Sequence, residues 1–279
     1  MTIFKAACVQ MRSGRTVGDN VATVSEMIRE ARSVGADFIA TPENTTIMDE
    51  DRERLAASIF PDTGDNPTLR EFQALTKELE CWLLVGSLPV KVDDGRFGNR
   101  SVLIKPDGSV AARYDKIHMF DVQVSESEQY RESKNYRPGR TGVLASTPWG
   151  ALGMTICYDL RFPYLYRALA QAGAKLLTVP SAFTKVTGQA HWHVLLRARA
   201  IENACFVIAP AQGGKHENGR ETFGHSMIID PWGKVLAEAA EDPCIIVAKI
   251  DTDEVGKARA RIPALTHTVD LPRVESARS

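Results

Sequence analysis

The sequence predicts a mixed α/β fold with layered sheets. Short apolar runs alternate with segments of helical periodicity near the N-terminus and again between residues 150 and 210. Hairpin patterns interrupt that alternation near 100–114 and 225–238. No internal repeat, low-complexity tract or linker-like shift in composition divides the 279 residues, so 1–279 reads as one domain.

Residues 3–11 form a continuous apolar run, as in a buried strand. Val21, Val24, Ile28 and Ala31 then recur at helical spacing, and Gly35 stands where a helix cap belongs. Residues 37–43 read as a second strand, ended by Pro42, which puts Glu43 just past its carboxyl end, the edge of an open α/β layer where sites gather. A helix is predicted over 69–79 and a strand over 82–85. A hairpin over 99–114 turns at Pro106-Asp107-Gly108. The polar stretch 115–141 has little periodicity; long ordered loops of this kind are commonly functional.

A buried strand over 150–156 runs into Cys157, with a helix starting near Pro163. A strand over 175–179 and a helix over 191–202 follow, the latter with Leu195, Ala198 and Glu202 on one face. Strands are then predicted over 205–210, 227–230 and 234–237, the last two paired around Pro231-Trp232-Gly233, and finally over 245–250.

Hydrophobic residues make up 44% and charged residues 25%, with a net charge of −1, and no basic stripe suggests nucleic acid or an anionic membrane. The N-terminus lacks a basic segment followed by a long apolar one, and no run approaches the length of a membrane span. Cys8, Cys81, Cys157, Cys205 and Cys244 are scattered, odd in number and without a Cys-x-x-Cys pair. This argues against a disulfide framework and against a structural metal, and fits a reducing cytoplasm. Asn44-Thr45-Thr46 and Asn99-Arg100-Ser101 match the glycosylation pattern by chance on this reading.

Three segments pair an ionisable residue with a strand end or loop: Pro42-Glu43, Asp115-Lys116-Ile117-His118 and Cys157-Tyr158-Asp159-Leu160-Arg161-Phe162-Pro163. Each alone also reads blandly, as a solvated loop acid, a surface lysine and a small buried thiol. Together they supply what thiol-based acyl transfer requires: a nucleophile, a carboxylate to take its proton, and a cation for the oxyanion. Spacing does not establish that the three meet. Two histidines at 191 and 193 do not share a helix face, which argues against a metal pair.

In the order they occur, these motifs resemble those of the nitrilase (carbon–nitrogen hydrolase) superfamily. So do Cys8-Val9-Gln10-Met11, the run from Arg197 to Asn203, and Gly224-His225-Ser226-Met227 leading to Asp230-Pro231-Trp232-Gly233. The resemblance implies a four-layer α-β-β-α sandwich, no cofactor, and at least a homodimer. It also implies a triad with Cys157 as nucleophile, Glu43 as general base and Lys116 as oxyanion stabiliser, the backbone N–H of Tyr158 completing the oxyanion hole. Glu132 matches a second family glutamate placed after the lysine; it also reads as a solvated loop acid, and Glu126 and Glu128 stand nearby.

Arg161 reads equally as a clamp for a substrate carboxylate and as a brace for the helix start. His118 reads as a packed residue fixing the Lys116 loop, and Phe183 and Thr184 as pocket lining. Residues 176–184, 190–202 and 211–216 most resemble the branch that hydrolyses deaminated glutathione to 2-oxoglutarate and cysteinylglycine, with omega-amidases as near relatives. His193 departs from the glutamate expected at its place. A non-catalytic binding protein on the same fold is the alternative of another class. An unrelated cysteine protease lacks its local motifs here.

Overall fold

The computed structural model describes residues 2–62, 65–124 and 129–269; Glu126 and Glu128 lie outside them. From the N-terminus, β1 (Ile3–Gln10), α1 (Val17–Ser33) and β2 (Phe38–Ala40) lead to α2 (Arg52–Ser58), α3 (Pro67–Leu79) and β3 (Trp82–Lys91). Then come β4 (Phe97–Ile104), β5 (Val110–Asp115) and a small hairpin of β6 (Asp121–Gln123) and β7 (Gln129–Arg131). The second half holds β8 (Val143–Thr147), β9 (Gly150–Met154), α4 (Pro163–Gln171), β10 (Ala174–Thr178), α5 (Lys185–Asn203) and β11 (Phe206–Ala209). It closes with β12 (Gly213–Lys215), β13 (Glu221–Phe223), β14 (Met227–Ile229), β15 (Val235–Glu238), β16 (Cys244–Asp251) and α6 (Asp253–Arg261).

The two large sheets share one plan. In the first, ordered β16-β1-β2-β3-β4-β5, the parallel strands β1, β2 and β3 are flanked by antiparallel neighbours. In the second, ordered β15-β14-β11-β10-β9-β8, the parallel strands β9, β10 and β11 are flanked likewise.

Strand alternation decides what each face buries. Phe4, Ala6, Cys8, Phe38 and Leu84 point inward to join Leu152, Met154, Leu176 and Val207 of the second sheet. Their neighbours Ala7, Val9, Ile39, Leu83 and Val85 point outward against Val24, Ile28, Leu69 and Phe72 of α1 and α3. On the far side Leu165, Tyr166, Leu169, Trp192 and Leu196 of α4 and α5 join the core of the second sheet. Trp149 pins the sheets together, stacked on Phe4 at 4.1 Å between centroids. The expected α-β-β-α layering is therefore present.

Several local expectations differ. Helix α5 begins at Lys185, not 191, with the Thr184 hydroxyl accepting from the Thr187 N–H. Gly188 and Thr187 weaken its first turns locally, but a Cβ at Gly188 would lie 2.3 Å from Phe223, so packing that only glycine permits selects the helix there. Its buried stripe runs through Trp192, Leu196, Arg199, Ala200 and Asn203 rather than through Leu195, Ala198 and Glu202. Helix α2, strand β8, the hairpins β6–β7 and β12–β13, and α6 carry weak periodicity and were not anticipated.

Gly86, in β3, positions the loop that carries Glu43. A Cβ there would lie 1.9 Å from the Thr41 carbonyl oxygen and 2.5 Å from that of Pro42, so the strand and the loop approach through the missing side chain. Gly86→Ala is expected to lower the unfolding free energy by at least ~3 kcal/mol, read by denaturant titration; unchanged stability would show that this backbone yields easily.

Candidate active site

Glu43 follows β2, and Cys157 follows β9, one of the parallel strands of the other sheet. The parallel strands of both sheets thus deliver one functional side chain each from their carboxyl ends. Lys116 follows β5, and Glu132 opens the turn after β7. All four line one open cavity of about 210 Å³, together with Tyr158, Phe183 and Thr184.

The Lys116 ammonium, 2% exposed, is held between two carboxylates. It donates to Glu43 Oε1 at 2.8 Å and to Glu132 Oε2 at 2.9 Å. Asn99 Nδ2 donates to both acids at 3.0 Å, which leaves no place for a glycan on that buried side chain. The Ala182 N–H donates to Glu43 Oε2 at 3.0 Å and the Phe120 N–H to Glu132 Oε2 at 2.7 Å. Gln212 Nε2 fixes the Glu43 backbone through its carbonyl at 2.9 Å.

Cys157 sits at φ +48°, in the left-handed region that a non-glycine residue rarely adopts. Its N–H donates to the Pro180 carbonyl at 2.9 Å, and its thiol shares the cavity with Glu43 and Lys116, close enough for their charges to act on its ionisation. The turn is braced by Asp159, which is fully buried. One Asp159 oxygen accepts from the Ile156 N–H at 2.9 Å and from the Tyr114 hydroxyl at 2.6 Å. The other accepts from the His118 N–H at 3.1 Å and lies 2.6 Å from His118 Nδ1. Tyr114 and His118 bracket Lys116, so one carboxylate ties the lysine segment to the cysteine turn. The ring of His118 stacks on Phe162 at 3.6 Å, in keeping with the packed role expected of it.

Electrostatics set the resting protonation. Burial favours a neutral Glu43, but Lys116 outweighs it and holds the carboxyl below its ordinary value. Burial likewise works against the Lys116 ammonium, yet Glu132 and Glu43 raise it well above its ordinary value. Burial pushes the Cys157 thiol far up, Glu43 adds to this, and Lys116 only partly opposes it. The resting set is therefore carboxylate, ammonium and thiol. A carboxylate thus stands near a protonated thiol, an arrangement in which the thiol can ionise as its proton is taken up.

The remaining expected residues separate. Phe183 and Thr184 line the cavity, Thr184 doubling as the α5 cap. Tyr158 lines it too, its ring edge-on to Phe120 at 5.1 Å. Arg161 does not line it. Its guanidinium lies over Phe183 at 5.3 Å and near His191 Nδ1 at 3.2 Å, with no acid beside it to brace the helix start among the described residues.

Sequence reasoning missed Arg220. Its guanidinium lines the cavity, donates through Nη2 to the Ala182 carbonyl at 2.5 Å and lies over the Tyr130 ring at 5.0 Å. Its Nε is buried with no acceptor, and no carboxylate pairs with it among the described residues. Asn99, Asp159 and Gln212 were also missed as parts of the site; Asp159 stood in the motif around Cys157 and Gln212 in the stretch 211–216, while Asn99 carried no signal for it.

A family model described as carbon–nitrogen hydrolase matches residues 5–260. The deaminated glutathione amidase of Synechocystis sp. is 41% identical over 273 residues, covering 96% of this chain and 99% of that protein. The omega-amidase NIT2 of Homo sapiens is 34% identical, covering 94% of each. Among solved structures, the C. elegans NitFhit protein superposes with a TM-score of 0.87 at 34% identity, over 96% of this chain and 65% of that longer one.

If Glu43 is the base, kcat/KM should hold as pH falls to 4.5, its ordinary value, and decline only below it, because the working carboxylate persists to lower pH than a free glutamate. An acid limb centred above that value would exclude Glu43 as the base.

Proposed function

The chain belongs to the carbon–nitrogen hydrolase family and is an amidase. We propose that it cleaves small amides whose acyl part carries a carboxylate, deaminated glutathione foremost, through a thioester on Cys157.

The observation that carries the mechanism is the Glu43–Lys116–Glu132 cluster lining the same cavity as the Cys157 thiol. As the sulfur attacks the amide carbonyl, Glu43 takes its proton. Lys116 and the Tyr158 N–H receive the developing oxyanion. Glu43 returns the proton to the departing amine, the carbon–nitrogen bond breaks, and the thioester remains. Glu43 then takes a proton from water, whose oxygen attacks the thioester; acid and thiol are released. Glu132 keeps Lys116 charged and oriented throughout.

The substrate class follows from Arg220. A cavity lined by a guanidinium without a carboxylate partner favours an anionic substrate. Deaminated glutathione qualifies, since its acyl half leaves as 2-oxoglutarate, and the 41%-identical relative bears that activity in its name. The 34%-identical omega-amidase supports 2-oxoglutaramate as the second substrate; it carries the same acyl group on a smaller leaving group. Val194, Ile201 and Trp232 are exposed apolar side chains on α5 and the neighbouring β14–β15 turn, a surface suited to a second copy in a homodimer or higher homo-oligomer. Sedimentation as a single chain would remove that last proposal.

Cys157→Ala should retain its fold and lose essentially all turnover; retained turnover would displace the thioester. In a panel of deaminated glutathione, 2-oxoglutaramate and neutral amides, the specificity constant should be highest for deaminated glutathione. Arg220→Gln should raise KM for the two oxo-acid amides by at least ~10-fold, as loss of a charged hydrogen bond implies, with a much smaller change for neutral amides. Equal effects on both classes would reject Arg220 as the carboxylate partner, and the same comparison on Arg161→Gln tests the other arginine.

A further inference from the structure

Away from the catalytic cavity, His193 of α5, His225 between β13 and β14, and Glu238 at the end of β15 turn their polar atoms toward one point. Glu238 Oε1 lies 2.8 Å from His193 Nε2 and 2.9 Å from His225 Nδ1, and the three atoms lie within 4.8 Å of one another. None of the three residues lines the cavity.

We propose that His193, His225 and Glu238 form a site for a borderline divalent cation, zinc above all, with a fourth position open to water. Two imidazole nitrogens and one carboxylate oxygen are the donor set that such ions take, whereas calcium and magnesium prefer oxygen alone. Zinc bonds of about 2.0–2.2 Å place tetrahedral ligand atoms about 3.4 Å apart, so the carboxylate would withdraw by roughly half an ångström and the two rings would adjust around the ion. Each neutral imidazole would shift its proton to its other ring nitrogen to free the ligating one.

The surroundings hold the ligands in place. His225 sits at φ +54°, with its carbonyl accepting from Trp192 Nε1 at 2.8 Å, and its ring stacks on Phe223 at 4.3 Å. Glu238 Oε1 accepts from both imidazoles, so one carboxylate oxygen already spans the two rings. All three side chains remain partly exposed, at 38%, 29% and 34%, so an ion could enter without unfolding.

Bound metal would pin α5 to the β13–β14 connection. That junction borders the substrate cavity: the Phe223 N–H donates to the Phe183 carbonyl at 3.0 Å, and Thr184 bridges Thr222. The ion would therefore stabilise the wall that presents Phe183, Thr184 and Arg220 without touching the reacting atoms.

The test is calorimetric titration of the metal-stripped chain with zinc chloride, beside His193→Gln, Glu238→Gln and, because Cys244 is a part-exposed thiol, Cys244→Ser. One equivalent should bind to the wild type and to Cys244→Ser, and affinity should fall by at least ~10-fold in the two ligand variants. Equal binding by all four proteins, or loss only in Cys244→Ser, would overturn the site. Should a ligand variant fail to fold, the cobalt(II) spectrum of the wild type decides. A visible ligand-field band without thiolate charge transfer supports the site; a thiolate band, or no band, rejects it.

Discussion

A buried ammonium ion has to be neutralised by its surroundings, and much of this active site follows from that requirement at Lys116. Removing a lysine nitrogen from water is costly, and only well-placed anions offset the loss. Glu43 and Glu132 do so, and they come from the end of β2 and the turn after β7, segments far apart in the chain. The ion pairs therefore act as a convergence constraint on two loops. Taking away Lys116 would leave two carboxylates facing each other without a cation, a penalty of about 3–5 kcal/mol, whereas removing either acid still leaves a one-to-one ion pair. Asn99 spans the two acids and Gln212 holds the Glu43 backbone, so the cluster is fixed in both side chain and main chain.

The second constraint is Asp159. It receives hydrogen bonds from the Cys157 turn on one side and from Tyr114 and His118 around Lys116 on the other. Because β5 belongs to the first sheet and β9 to the second, this carboxylate is a polar joint across the sandwich. The apolar interior between the sheets sets their separation, and Asp159 sets where along that interface the sulfur and the ammonium stand.

Much of this was legible in the sequence. The continuous apolar run of β1, the spacing of Val21, Val24, Ile28 and Ala31, and the Pro106-Asp107-Gly108 turn each carry a local physical signal, and each matches an observed element. Cys157, Glu43 and Lys116 stand at strand ends or in loops, but each alone also reads blandly, and the resemblance of the motifs around them singled them out. Glu132 was less certain, since loop acids stand near it and only the fold shows which carboxylate reaches Lys116. Arg220 and Asn99 gave no local sign at all: one sits in a polar hairpin, the other inside a strand that also fitted a glycosylation pattern. Short elements such as α2 and β6–β7 are held by contacts remote in sequence, and that is why periodicity passes over them.

The proton kept on Cys157 at rest has a bearing on durability. Oxidants attack thiolates far faster than thiols, and a sulfur exposed as its anion drifts toward sulfenic and sulfinic acid. Here burial disfavours the free anion, and the neighbouring Glu43 carboxylate adds to the effect. On the proposed mechanism the thiolate is thus generated chiefly when an electrophile sits against it, leaving the free enzyme comparatively inert toward peroxide.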